Sequence, residues 1–119
     1  MASSRLSVAR DPALALIVRI FVGSVMERWD VSEPVRDDLR LAASELFSGA
    51  VDAGKGDLVT FELSADDNEV ELRAEDVHSD EEAPATDIEG WTGRFDLIRA
   101  LFPEAEIGDE IRIRVPLPA

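Results

Sequence analysis

The stretch "LVTFELSADDNEVELRAE" (residues 58–75) decides the fold class of this 119-residue chain. Its two halves alternate apolar with polar side chains, and a period of two is typical of strands that bury one face. The cluster "ADDN" (65–68) between them favours a turn, so the sequence predicts an antiparallel hairpin whose first strand covers about 58–64. The apolar face of this hairpin comprises Val59, Phe61, Leu63, Val70, Leu72 and Ala74.

Two helices are predicted upstream of the hairpin, and their apolar stripes can cover its apolar face. Asp11 is an N-cap that is followed by Pro12 at the first helical position, which predicts a first helix over about 12–29. Ser32 is the N-cap of a second predicted helix that continues to about 52. The predicted stripes are Leu14, Ile17, Phe21, Val25 and Trp29 in the first helix and Val35, Leu39, Ala42, Leu46 and Ala50, flanked by Ala43 and Phe47, in the second.

The remaining segments complete one α+β domain. Residues 4–9 predict a short edge strand, and residues 76–89 predict a long acidic surface loop. A third helix is predicted over about 94–102, and a final strand over 111–115. The order β-α-α-β-β-α-β predicts a two-layer sandwich with the helices packed on one face of a mixed, mostly antiparallel sheet. The length suits a single domain, residues 1–119.

The composition restricts the classes of function. A net charge of −14 and a pI near 4.3 argue against nucleic-acid binding, which needs clustered basic residues, and favour a basic protein partner. The chain has no cysteine, so it can form neither a disulfide framework nor a thiolate zinc site. His78 is the only histidine, and any histidine-dependent metal site or Ser-His-Asp triad would have to use it.

The sequence also predicts a location. No apolar run approaches the roughly 20 residues of a membrane span, so no membrane association is expected. The first residues, "MASSRLSVAR" (1–10), lack the pattern of a secretory signal. We therefore expect a cytoplasmic protein.

Several stretches in a fixed order resemble a known family. They are "DDLRLAASELFSGAV" (37–51), "EVELRAED" (69–76), "GRFDLIRALFPEAEI" (93–107) and the terminal strand. Together they resemble the histidine-kinase-like ATPase domain of bacterial anti-sigma factors, which are serine kinases of the Bergerat fold in the GHKL superfamily. The resemblance covers nearly the whole chain and implies a Bergerat-like fold and a role in transcription regulation.

The second predicted helix matches the family's Glu-x-x-x-Asn-Ala motif at Glu45 and Gly49-Ala50. The resemblance implies that Glu45 is the candidate catalytic base. In the family the asparagine coordinates magnesium, and Gly49 supplies no side-chain oxygen at that position. Because Mg²⁺ depends on a few oxygen ligands, this loss implies a degenerate site in which Glu45 is vestigial and no metal ligand remains.

The other positions of the family's nucleotide pocket also depart from its motifs. Asp76 matches the aspartate that contacts adenine, whereas His78 replaces the glycine that follows it in the family and would crowd the base. The phosphate-binding Gly-x-Gly-Leu motif is represented by "GWTGRF" (90–95), in which Gly93 is out of register and Arg94 replaces the glycine. The resemblance therefore implies that ATP and Mg²⁺ are not cofactors of this chain unless a variant site is functional.

Three functions follow from the sequence. The leading hypothesis is an anti-sigma-factor-like, pseudokinase-like regulatory domain that binds a protein partner, which by resemblance is a sigma factor or a STAS-type antagonist. The second is an active ATP-dependent serine kinase that uses Glu45 as base and Asp76 for adenine, with Ser48 or Asp52 as substitute magnesium ligand. The third is a dimerising scaffold module unrelated to transcription, because the first helix bears Phe21 and Trp29 and the family pairs protomers, which is consistent with a homodimer.

Overall fold

The structure, a computed structural model, describes residues 2–53, 57–75, 96–108 and 110–117. The chain is α+β, with three α-helices and a five-stranded sheet in the described residues. The strands are β1 (Ala2–Ala9), β2 (Leu58–Ala65), β3 (Glu69–Glu75), β4 (Glu106–Ile107) and β5 (Glu110–Pro116), and the helices are α1 (Ala15–Arg28), α2 (Glu33–Ala53) and α3 (Asp96–Leu101). None of these described helices combines the length and the apolar character that a bilayer crossing requires.

The sheet confirms the predicted hairpin. Its strand order is β1-β2-β3-β5-β4, and Leu63 lies opposite Leu72 in the antiparallel β2–β3 pair. All neighbouring pairs of described strands are antiparallel, where the sequence predicted a mixed sheet. The strand β4 was not predicted, because two residues are too few to show a period. As expected, the first strand lies at an edge.

The helices and the apolar face of the sheet share one hydrophobic core. Ile98 of α3 is fully buried in this core together with the inward residues of the strands. The predicted stripe of α2 is confirmed over most of its length, because Leu39, Leu46 and Ala50 are at most 2% exposed. The polar residues of the strands occupy the opposite face of the sheet. The largest fully buried side chains are Phe47, Phe61, Met26, Leu39, Leu46, Leu63, Leu72, Ile98, Ile111 and Ile113.

Helix α1 is rotated relative to its predicted stripe. Its buried side chains are Val18, Val22 and Met26, each one position after a member of that stripe, whereas Ile17 is exposed. The first turn is a 3-10 turn over Pro12–Leu14, and Asp11 caps it by accepting a hydrogen bond from the backbone N–H of Ala13. Because α1 is apolar on nearly all sides, periodicity alone does not define its buried face.

The turn from α1 to α2 is fixed by backbone hydrogen bonds. The N–H of Val31 donates to the carbonyl of Met26, and the N–H of Asp30 donates to the carbonyl of Glu27. This is the Schellman arrangement, which places one residue in the left-handed region. Asp30 occupies that position with φ = 62°. The Arg36 guanidinium also donates to the carbonyl of Val31, so the turn holds α1 and α2 side by side.

The β2–β3 turn depends on the carboxylate of Asp66. Its Oδ1 accepts hydrogen bonds from the backbone N–H groups of Asn68, at 2.8 Å, and Glu69, at 2.9 Å. These two backbone hydrogen bonds lower the pKa of Asp66 below its ordinary value, because they stabilise the ionised form. The turn is therefore more stable while Asp66 is ionised.

We expect this contribution to appear in the pH dependence of stability. Because the pKa of Asp66 is lower in the folded state, its contribution is fully present above the unfolded value of about 4 and disappears as the pH falls through the folded value. The Tm of the native chain should therefore fall more steeply than that of Asp66→Asn between about pH 5 and pH 2. Asparagine keeps an oxygen acceptor without titrating. Thermal denaturation at a series of pH values measures the difference, and parallel curves would contradict the prediction.

Candidate functional site

The residues predicted for magnesium and base chemistry lie in the last turns of α2. Glu45 is half-buried, and Gly49, one turn later, is buried. Leu46 and Ala50, the residues that follow them, are in the hydrophobic core. The helix therefore places the two positions on its border with the core, because each precedes a residue of the buried stripe. A carboxylate can act at this border, but a glycine offers no side chain to a metal.

The rest of the predicted nucleotide pocket lies outside the described residues. This applies to Asp76, His78, Gly93 and Arg94, so the structure brings together only the two positions on α2. Of the substitute ligands considered for magnesium, Ser48 is exposed. In the part of the chain that the structure describes, no group of three or more His, Cys, Asp or Glu side chains is placed to hold a metal ion.

Arg10 fixes the end of α2 that carries this site. Its Nη1 donates to the carbonyl of Ala50 at 2.9 Å, and its Nη2 donates to the carbonyl of Leu58 at 3.3 Å. The last carbonyl groups of a helix lack partners within the helix, and a cation there also favours the helix dipole. Arg10 thus connects the residue after β1 with both α2 and the start of β2. Sequence reasoning did not identify this role, because nothing in the local pattern distinguishes Arg10.

A groove between α1 and α2 is a second candidate site, and the sequence analysis missed it. It has a volume of about 720 Å³ and lies on the outer side of the helix pair. Its apolar lining includes Leu16, Ile20 and Leu41, which are 60%, 54% and 43% exposed. Leu16 and Ile20 are one helical turn apart and lie outside the predicted stripe of α1. That spacing was the sequence signal that could have revealed the groove.

Arginine dominates the charges of this groove. Its lining contains Arg19, Arg36 and Arg40 against Glu27 and Asp37. Arg40 forms an ion pair with Asp37, and the guanidinium of Arg36 donates one hydrogen bond to the backbone carbonyl of Val31. Arg19 has no hydrogen-bond or ion-pair partner among the described residues. The groove therefore combines exposed aliphatic side chains with a guanidinium that no described residue pairs with.

Gly23 forms part of the floor of the groove, and its replacement by alanine should stabilise the chain. A Cβ at this position would meet Cδ and Nη1 of Arg40 at 3.0 Å. The Arg40 side chain is 43% exposed and can move outward, while alanine removes the cost of glycine inside a helix. We expect Gly23→Ala to raise the free energy of unfolding by about 0.5–1 kcal/mol and the Tm by about 2–5 °C.

Thermal denaturation followed by circular dichroism measures this change. Gly108→Ala is the matched control, because a Cβ there would lie more than 4 Å from every described residue other than its chain neighbours, and Gly108 lies in the β4–β5 turn, outside any helix. It should not reproduce the gain. A lower Tm for Gly23→Ala would show that Arg40 cannot give way.

The polar face of the sheet carries a cluster of charges around Arg73. The Arg73 guanidinium forms an ion pair with Glu62 on β2, lies 3.6 Å from an oxygen of Glu75, and lies 4.0 Å from one of Glu110 on β5. Its Nε is buried and has no hydrogen-bond partner among the described residues. Arg112 lies opposite it on β5 and donates to Glu110 at 3.3 Å. The charges of this cluster pair with one another, so its role is to stabilise the sheet.

Comparison of the chain with protein-family models and with curated proteins gives no significant match. The resemblance to anti-sigma factors therefore depends on the sequence motifs alone. Any function for the chain has to follow from those motifs together with the geometry of its own residues.

Proposed function

We propose that the chain is an anti-sigma-factor-like regulatory domain that acts by binding a protein partner, and that its ATP and magnesium site is degenerate. The α+β fold, with helices that share a core with an antiparallel sheet, is compatible with a two-layer sandwich of the Bergerat type. Kinase activity would then be lost, and the chain would regulate its partner by binding it. A cytoplasmic location follows from this role.

The observation that carries the proposal is the burial of Gly49 one turn after Glu45. A magnesium ion that bridges the phosphates of ATP needs oxygen ligands from the protein, usually one or two. The glycine at this position offers none, and the neighbouring Leu46 and Ala50 are buried in the hydrophobic core. Losing this ligand weakens the binding of magnesium and therefore the binding of the triphosphate that magnesium would bridge.

Partner binding is supported by two features of the surface. The net charge of −14 would draw in a basic protein and raise its rate of encounter. Exposed aliphatic side chains in the α1–α2 groove offer apolar area to such a partner. By resemblance the partner would be a sigma factor or a STAS-type antagonist.

Titration calorimetry with ATP and MgCl₂ tests the loss of nucleotide binding. We expect no measurable heat of binding for the native chain at nucleotide concentrations up to about the millimolar range, where association is worth about 4 kcal/mol. Glu45→Ala should give the same result, because a vestigial base contributes nothing to binding. Micromolar binding of ATP by the native chain would overturn the proposal.

The alternative of an active serine kinase keeps one observation in its favour. The carboxylate of Glu45 is half-buried rather than enclosed, so a substrate hydroxyl could reach it. Transfer of labelled phosphate from ATP to a STAS-type protein, abolished in Glu45→Ala, would support this function. Absence of transfer would argue against it.

The alternative of a dimerising scaffold is supported by the same exposed side chains of α1. Leu16 and Ile20 would become buried if two copies met through this helix. Sedimentation of the native chain and of Ile20→Asn distinguishes this function. A dimer that the substitution dissociates would support it, and a native monomer would exclude it.

A further inference from the structure

The α1–α2 groove has an apolar lining that suits a helix. Three of the five large hydrophobic side chains that are substantially exposed in the described residues line it, namely Leu16, Ile20 and Leu41. Leu16 and Ile20 lie on successive turns of α1, and Leu41 lines the same groove from α2. An amphipathic helix that lies in a groove contacts it through residues spaced three and four apart, which matches this triangle of aliphatic side chains.

The charges of the groove differ in sign from those of the molecule. Three arginines face two acids in the groove, whereas the whole chain carries a net charge of −14. Arg40 and Asp37 neutralise each other, and Arg36 donates to a backbone carbonyl, so Arg19 is the groove arginine with no hydrogen-bond or ion-pair partner among the described residues. A carboxylate from a bound segment would pair with Arg19 at the edge of the apolar area.

The same charges select among possible occupants. A second copy of the chain would also carry a net charge of −14, and the repulsion between the two copies opposes self-association. Nucleic acid is disfavoured for the same reason. The net charge acts on the rate at which a basic partner is encountered, whereas the contact at Arg19 depends on the few charges within about 8 Å, because more distant charges are largely screened from it at physiological salt.

We infer that the α1–α2 groove binds an amphipathic helix of a partner protein, whose aliphatic residues cover Leu16, Ile20 and Leu41 and whose flanking carboxylate pairs with Arg19. This inference rests on the proposed function, because it gives a place and a chemistry to the protein binding proposed above. The bound helix packs against α1 and α2 on the side opposite the sheet. Neither Glu45 nor Gly49 lines this groove.

Two synthetic helical peptides of about 18 residues serve as probes, with leucines at i, i+4 and i+7 spacing. One carries glutamates beside the leucines, and the other carries lysines at the same places. We expect the glutamate peptide to bind the full chain, with NMR chemical-shift changes concentrated in α1 and α2. The lysine peptide should bind at least about tenfold more weakly. Equal binding of both peptides, or no shift in these helices, would overturn the inference.

Substitutions separate the groove from the rest of the surface. Ile20→Asn and Leu41→Asn should each weaken the glutamate peptide about tenfold or more, because they place an amide in the apolar contact. Leu58→Asn is the matched control, since Leu58 is 50% exposed on β2 and does not line the groove. Arg19→Glu should reverse the preference, so that the lysine peptide binds better. Unchanged binding in these groove variants would overturn the inference.

The failure of this inference differs from the failure of the proposed function. A native partner that the chain and its Ile20→Asn variant bind with equal affinity would overturn the groove assignment and leave partner binding intact. Binding of ATP and magnesium in the micromolar range would instead overturn the proposed function. A native dimer that dissociates in Ile20→Asn would show that a second copy of the chain occupies the groove. It would overturn the inference that the groove binds a helix of a different protein.

Discussion

Replacing Phe61 by alanine is expected to lower the free energy of unfolding by about 3–5 kcal/mol. The Phe61 side chain is fully buried at the centre of the sheet, where it lies opposite Leu6 on β1 and Ala74 on β3. Alanine would remove most of the apolar area and leave a cavity between the sheet and the helices, which a small neighbour such as Ala74 cannot fill. Domains are commonly stable by about 5–15 kcal/mol, so the loss is a large share of the total.

Chemical denaturation followed by circular dichroism measures this loss. Leu58→Ala is the matched control because Leu58 is on the same strand and 50% exposed, so its truncation should cost less than about 1 kcal/mol. The midpoint should therefore fall far more for Phe61→Ala than for the control. Similar midpoints for the two variants would mean that β2 does not bury Phe61 in solution.

Replacing Arg73 by methionine is expected to lower the free energy of unfolding by about 1–3 kcal/mol. Three carboxylates surround the guanidinium, from Glu62, Glu75 and Glu110, and the Arg73 side chain is only 25% exposed. Methionine preserves much of the packing but leaves these carboxylates without their shared cation. Arg112, which is bonded to Glu110, offsets part of the loss.

Two comparisons identify repulsion as the cause. Adding Glu62→Gln to Arg73→Met should recover part of the stability, because it removes one of the uncompensated charges. Arg114→Met removes an arginine that also has several acidic neighbours but is more exposed, at 40%, so its effect should be smaller. A double variant that is less stable than Arg73→Met alone would contradict the explanation.

The parts of the fold that the sequence predicted are those where one pattern has one structural solution. Alternation over 58–75 with a turn cluster in the middle is compatible with little besides a hairpin, and the structure confirms it. In α2 the small and aliphatic residues from Leu39 to Ala50 form a single stripe, so its buried face was predicted correctly. Glu45 and Gly49 each precede a residue of that stripe, which accounts for their position at its border.

The sequence was less informative where several solutions fit the same pattern. Helix α1 has apolar residues on nearly every side, and only its packing against α2 and the sheet selects Val18, Val22 and Met26 as the buried set. That choice leaves Leu16 and Ile20 exposed and creates the groove. The groove itself depends on two helices that are adjacent through the Asp30 turn, which no local periodicity encodes. The charge cluster around Arg73 likewise needs the strand register, because its members come from three strands.

The position of β5 in the sheet has a consequence for how the chain is made. This strand lies between β3 and β4, although it follows both of them in the chain. During synthesis on the ribosome, β3 has an open edge on one side and β4 has no strand to pair with until residues 110–116 have emerged. The nascent hairpin therefore exposes unpaired backbone groups for that interval, and cotranslational folding of the sheet can finish only with its last interior strand.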